Sequence, residues 1–474
     1  MIRTNTPIAY VVVPFALLCA AAAVAAMPLA RDDQIALGVL AATPAALIGL
    51  YVVAQGVIGD RHFGAVMAVI YIFIASAIFR TRAYDDKSID LQVAAKLASF
   101  GVIFVTNVVF YSFALKQLRF PRLFAVWLMF FSALIGCALY AVKPVFALTC
   151  AVLFMGCYLY AVYMAVRLSR RVAVEVMMWA ALLLCAGSIF VYYAIPSIGV
   201  MEAWTPEAGF GEIGRMKGLT GSANGIGFIA AFAAALAILY YRSFGWFGRC
   251  TAIALVPMAL FCLVASNNRS SMIALAAAVW FGFVFRKNTG PKLLFTITLG
   301  MIGLTALVFF ADEIFAALSR SGNAEEITSV TGRSAIWSVV IEMWSQKPIF
   351  GYGYTSALAI LPLDPRLFHV AAHAHNMYLE LLFAGGVVLL GLFLYALWQT
   401  FRQVVRNGAV EEAALLVFFM LRGLTEATPF SGMVGYSSLA FTLVIGLVIA
   451  PLVRPRAAAV SVAGAAPALQ QSRP

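Results

Sequence analysis

Apolar runs of about 20 residues, separated by short polar turns, recur along almost the whole chain. That length is what an α-helix needs to cross a hydrocarbon core of roughly 30 Å. Fourteen such runs are read: near 8–29, 35–57, 63–80, 94–115, 122–142, 144–166, 172–195, 224–241, 247–266, 271–286, 292–311, 377–401, 411–429 and 434–453. The run at 411–429 is the weakest, because it holds Arg422 and Glu426. Composition agrees with a membrane solvent. Of 474 residues, 64% are hydrophobic and 11% charged, against roughly 45–50% and about 25% in soluble domains. Charged side chains are too few to cover the exterior of a soluble fold. A soluble enzyme, a disordered chain and a nucleic-acid binder are all excluded. The expected fold class is all-α, a polytopic membrane helix bundle of about 12–14 transmembrane helices.

The net charge of +12 follows from topology, since Lys and Arg concentrate in short cytoplasmic turns. With the N-terminus inside, the even-numbered turns carry Lys116, Arg119 and Arg122; Arg167, Arg170 and Arg171; Arg242 and Arg249; Arg286, Lys287 and Lys292; Arg402 and Arg406. Arg80, Arg82 and Lys87 dissent, diluted by Asp85, Asp86 and Asp90. Both termini are then cytoplasmic, and the two longest loops, 196–223 and 312–376, fall on the outer side. The first run is read as a retained span rather than a cleaved signal, being long for a signal-peptide core. The seven cysteines lie almost entirely inside apolar runs and form no CxxC pair, so neither a disulfide framework nor a thiolate metal site is expected. The chain divides into an N-terminal bundle over 1–200, a region over 201–453 that holds both long loops, and an Ala-, Pro- and Ser-rich tail, 454–474, expected to be disordered.

Polar residues gather at three helix starts. Arg215-Met-Lys217-Gly218 leads through Ser222 and Asn224 into the eighth run, Ser266-Asn267-Asn268-Arg269 opens the tenth, and His373-Ala374-His375-Asn376 opens the twelfth. All three runs descend from the outer side. Their unpaired N–H groups and the positive ends of their dipoles would share one surface, with arginines beside two of them. Guanidinium groups and helix N-termini together describe an anion site of the kind that suits a diphosphate. The competing reading of each arginine is a snorkelling anchor.

Three of the four histidines are His369, His373 and His375. Their spacing invites comparison with zinc sites, but no HExxH occurs, so a general base or a structural role is preferred to a metal. Upstream, Thr331-Gly332-Arg333 leads into Ser334–Gln346, where Ile336, Trp337, Val340 and Trp344 recur at helical spacing. An amphipathic helix is expected there, either on the outer leaflet or packed over the bundle, with Arg333 as a further anion ligand. The Gly209–Gly214 stretch matches GxGxxG but has no strand or βαβ context, and no Walker A sequence appears.

These blocks, in this order, resemble the O-antigen ligase and O-antigen polymerase superfamily of bacterial inner-membrane enzymes. The resemblance is carried by Arg215 through Asn224, the Ser266–Arg269 turn, the Thr331–Gly353 block with its TGR, W, P and GYG elements, the HAHN of His373–Asn376 and the Gly385-Gly386 pair. It covers roughly residues 200–400. It implies a glycosyltransferase of the inner membrane whose active site faces the periplasm, with no cofactor, no metal and no nucleotide. The donor would be a glycan on undecaprenyl pyrophosphate. The acceptor would be a lipid A-core sugar for a ligase, or a growing polysaccharide for an O-antigen or exopolysaccharide polymerase; membrane lipid is a partner and nucleic acid is not. His375 would be catalytic, and Arg215 and Arg269 would bind pyrophosphate, joined by Arg333 and Lys217. Asn224, His373, Asn376 and Arg422 would support the site, and Arg422 with Glu426, four residues on, could pair. Two other classes compete: a transporter of lipid-linked sugars, which would place ionisable groups at mid-membrane, and a non-catalytic scaffold.

Overall fold

A computed structural model describes residues 49–78, 90–201, 214–286, 289–309, 333–367 and 372–455. The first expected run, the GxGxxG stretch apart from Gly214, His369 and the tail beyond Pro455 lie outside these residues. The described chain is an all-α polytopic bundle with almost no sheet.

In chain order the helices are α1 (Gly49–Gly59), α2 (Arg61–Ser76), α3 (Leu91–Gln117), α4 (Arg122–Leu139), α5 (Pro144–Tyr163), α6 (Arg170–Ala194), α7 (Ala223–Tyr240), α8 (Trp246–Ala265), α9 (Arg269–Phe285), α10 (Thr289–Phe309), α11 (Arg333–Gln346), α12 (Met377–Asn407), α13 (Val410–Gly423) and α14 (Tyr436–Ile449). Among the described residues, seven are long and apolar enough to cross a membrane: α3 to α8 and α12. α1, α2, α9 and α14 are apolar but shorter. α13 stops at Gly423, so the expected run at 411–429 is a 14-residue helix followed by irregular chain. The shortening has a spatial logic. Ser76 near the end of α2, Arg422 at the end of α13 and Tyr436 at the start of α14 all line one cavity.

Burial separates inner from outer helices. Of the apolar window of α7, 83% is buried, against 39% for α8. α7 reads AFAAALAILY, and its small side chains let neighbouring helices approach closely. Outward faces carry large apolar side chains such as Phe104, Val108, Ile253 and Val264, the inverse of a soluble surface. An aromatic cluster of Trp127, Phe130, Phe393, Phe430 and Phe441 joins α4, α12, α14 and the chain after α13. A two-residue antiparallel pair, β1 (Leu118–Arg119) with β2 (Arg454–Pro455), holds the basic turn after α3 against the basic C-terminal segment. These segments were expected on one side of the membrane.

α12 is broken at Gly385 and Gly386, whose dihedrals are non-helical. The freed backbone groups are answered by the segment after α11. Tyr352 and Gly353 donate to Phe383 and Ala384 carbonyls at 2.8 Å, and Val387 donates to the Pro348 carbonyl at 3.0 Å. Gly386 has φ +61°, and a Cβ there would sit 2.2 Å from the Ile349 carbonyl oxygen. Gly353 has φ +100°, with Ala141 Cα 2.4 Å from where its Cβ would be. Neither position admits a side chain without displacing backbone. The inserted segment seats α11 against α12 over a small second core of Val339, Val340, Leu361 and Phe383. The amphipathic helix therefore packs over the bundle.

Candidate active site

The three expected helix starts converge. Each is capped by a side chain of its own sequence: Ser222 Oγ accepts from Gly225 N at 3.0 Å, Asn268 Oδ1 from Ser271 N at 3.1 Å, and Asn376 Oδ1 from Tyr378 N at 2.9 Å. These caps take one or two of the four free N–H groups at each terminus. A network then ties the ends together. Asn268 Nδ2 donates to the Asn224 carbonyl at 3.2 Å. Arg215 Nε donates to the Ser266 carbonyl at 2.8 Å, and its Nη2 lies 3.4 Å from Asn224 Oδ1. Arg422, 2% exposed, donates from Nε to Ser271 Oγ at 3.0 Å, from Nη2 to the Asn224 carbonyl at 3.4 Å, and from Nη1 to Thr428. Its guanidinium also lies 4.6 Å over the Phe228 ring. Apart from its electrostatic coupling to Glu426, Arg422 is held by neutral acceptors and so keeps a full charge available to the cavity.

Glu426 organises the other half. Arg333, on α11, reaches its Oε1 at 2.8 Å and also bonds the Thr425 carbonyl. His375 Nδ1 approaches Oε2 at 3.8 Å, an ion-pair separation beyond hydrogen-bond reach. The pairing expected between Arg422 and Glu426 is thus replaced: the chain leaves the helix after Gly423, and the direct partner of Glu426 is Arg333. Burial pushes the Glu426 carboxyl up, but His375, Arg422 and Arg333 together hold it well below the usual carboxylate range. It is an anion at any physiological pH.

The histidine turn is clamped from both sides at Ala374. Its N–H donates to the buried Glu380 carboxylate at 2.9 Å, and its carbonyl accepts from Trp337 Nε1 at 3.0 Å. His375 has φ +47°, a left-handed conformation uncommon for a residue with a Cβ and typical of sites held under strain. The rings of His373 and His375 lie 4.0 Å apart. Burial, followed by the neighbouring His375, pushes His373 down to about 3, so its imidazole is neutral near pH 7. Asn376 Nδ2 donates to the Leu424 carbonyl at 2.9 Å, fixing α12 against the end of α13.

Beside this network lies a cavity of about 360 Å³. Asn224, His373, Arg422, Glu426 and Thr428 supply its polar lining, and Ile78, Phe228, Ile229, Met433 and Val434 its apolar lining. Lys96, on α3, adds a cation to the wall. Of the expected residues, Asn224, His373 and Arg422 face the cavity. Arg215, Arg333 and His375 lie in the network behind it. Arg269 begins α9 beside Asn268, and half-buried Lys217 precedes the Gly218–Thr220 turn; neither lines the cavity. Sequence reasoning undervalued Glu426 and missed Lys96, though each is an ionisable residue in or beside an apolar run, which is a functional signal by default. His373, His375 and Glu426 are also the one group of metal-capable side chains found among the described residues.

No curated protein matches the chain. Residues 253–394 match the family model described as O-antigen ligase. The matched stretch runs from within α8 into α12 and contains Arg269, Arg333, His373, His375 and Asn376; Arg215, Arg422 and Glu426 lie outside it. Over this segment, less than half of its length, the chain is similar to the O-antigen ligase family.

Proposed function

We propose that this chain is a glycosyltransferase of the bacterial inner membrane. It moves a glycan from undecaprenyl pyrophosphate to a sugar hydroxyl, as of the lipid A core, at the periplasmic face. The observation that carries this reading is the convergence of Arg215, Arg333, Arg422 and His375 around Asn224 and Glu426, next to one cavity with both polar and apolar walls. Buried Arg422, held by neutral oxygens, brings positive charge to the cavity wall. A lipid diphosphate brings the compensating charge, and its polyprenyl tail suits the Ile78, Ile229, Met433 and Val434 lining of the cavity.

Diphosphate is a good leaving group, so the protein's main task is to stabilise charge developing on the bridging oxygen. Fixed donors in a partly dry site contribute about 3–4 kcal/mol each in comparable cases. Arg422, with no freedom to reorganise, and Arg215 fit that role, with Lys96, Arg269, Lys217 and Arg333 extending the field. His375 accepts the proton from the acceptor hydroxyl as it attacks the anomeric carbon, a contribution of roughly 10²–10⁴-fold. Glu426 stabilises the imidazolium that results. Asn224, Asn376 and His373 position the groups around it. A single displacement inverts the anomeric configuration. The phosphosugar bond supplies the free energy, so neither nucleotide nor metal is required.

The test uses protein purified in detergent, lipid-linked glycan and acceptor, with no ion gradient. Transfer is expected from the unmodified protein and is lost in His375→Ala and Arg215→Ala, both still membrane-inserted. Full activity in either variant removes that residue's assigned role, and movement of glycan without transfer would favour a transporter.

A further inference from the structure

Glu426 and His375 stand at an ion-pair separation that is too long for a hydrogen bond. His375 Nδ1 is buried and has no hydrogen-bond partner, yet it stops 3.8 Å from Glu426 Oε2. Glu426 Oε1 is already taken by Arg333 at 2.8 Å, which leaves Oε2 as the oxygen turned toward the histidines. One ligating atom each of His373, His375 and Glu426 lies within 4.8 Å of the other two. Zinc bonds of about 2.0–2.1 Å to nitrogen and oxygen set neighbouring ligands roughly 3.3–3.4 Å apart in a tetrahedral shell. The His375–Glu426 separation is within about half an ångström of that, and rotation of His373 brings in the third ligand.

We propose that His373, His375 and Glu426 form a reversible binding site for a zinc-like divalent cation, with its open position toward the cavity that His373 and Glu426 line. Two imidazoles and one carboxylate favour zinc or its neighbours over Mg²⁺ and Ca²⁺, which prefer all-oxygen shells. Arg333 and Arg422 oppose a cation here, so the site binds more weakly than a structural zinc centre. Its effect rests on the transfer reading above. A neutral imidazole has one acceptor nitrogen, and metal on His375 takes the lone pair that the acceptor proton needs. Zinc therefore inhibits transfer.

The experiment titrates full-length, metal-stripped protein in detergent with Zn²⁺ against a chromophoric chelator, and with Co²⁺ to read its visible spectrum. One ion per chain is expected, with the intense absorption of low-coordinate cobalt. His373→Ala and Glu426→Gln should each weaken binding by roughly 10–100-fold or more, and Mg²⁺ should not compete. No saturable binding by the unmodified protein overturns the site, as does equal binding by both variants; the first result stands even where a variant fails to fold. Binding without inhibition keeps the site, overturns its effect on transfer, and counts against His375 as the base.

Discussion

The same three helices, α7, α9 and α13, end in two polar clusters of opposite design. At one end, Arg170 pairs with Glu412 across α6 and α13, and Arg286 pairs with Glu411 at 2.9 Å while also bonding the Leu239 carbonyl of α7. Each of these cations meets its own carboxylate, and Arg170 and Arg286 remain 44% and 31% exposed. At the other end, Arg422 donates to carbonyl and hydroxyl oxygens, Arg215 bonds the Ser266 carbonyl and the Asn224 amide oxygen, and Arg333 pairs with Glu426. Paired charge ties helices together and leaves little field. A buried charge held by neutral groups, as that of Arg422 is, is costly unless something anionic arrives. On the proposed reading, the first end is structural and the second functional.

Substituting one arginine at each end should break that symmetry most visibly. Arg422→Gln keeps hydrogen-bond donors but removes the charge, and transfer is expected to fall by about 10²–10³-fold, as for a lost oxyanion donor. Arg286→Gln, at the far end, should leave the rate within about twofold, since a half-exposed pair contributes about 0–1 kcal/mol. Initial rates on matched membrane-inserted protein compare the two.

Stability should show the reverse ranking. Arg170→Gln leaves Glu412, 0% exposed, without its cation. The expected cost is about 3 kcal/mol, the low end for a broken buried pair because Arg170 is half-exposed. Thermal unfolding in detergent reads it, and an unchanged transition would show that the far end does not hold the helices.

The smallest effect is one of pH. His373 sits at about 3, against an unfolded value near 6.5, so the unfolded chain binds its proton first. The stability it contributes is present above pH 6.5 and is lost as pH falls toward 3. Between pH 6.5 and 5.5 the loss should be about 1 kcal/mol. His373→Asn should lose less over that interval, and the comparison of the two slopes isolates this residue from other groups. Identical slopes would mean that His373 is not held neutral.

Much of this was legible from sequence. The spans were, because a 20-residue apolar run has few other uses; most observed boundaries fall within a few residues of the expected ones. The shared helix starts were too, because topology alone puts the ends of alternate spans on one side. Glu426 was not: four residues after Arg422 on an assumed helix, it read as a local pair, and only the stop at Gly423 turns it toward α11. Lys96 was hidden by distance, since nothing along the chain links α3 to α13. The fit of Pro348–Tyr354 into the break of α12 was visible as glycines but not as an interaction, because which backbone fills a gap is decided in three dimensions.

The central claim is that the α7–α9–α13 end binds a lipid diphosphate through Arg215 and Arg422. Native mass spectrometry of detergent-solubilised protein with undecaprenyl pyrophosphate, without sugar or acceptor, addresses it directly. The account expects saturable binding that weakens at least about tenfold in Arg215→Ala and in Arg422→Gln, by the loss of one charged hydrogen-bonding partner, and not in Arg286→Gln. Equal binding by all four proteins would contradict it.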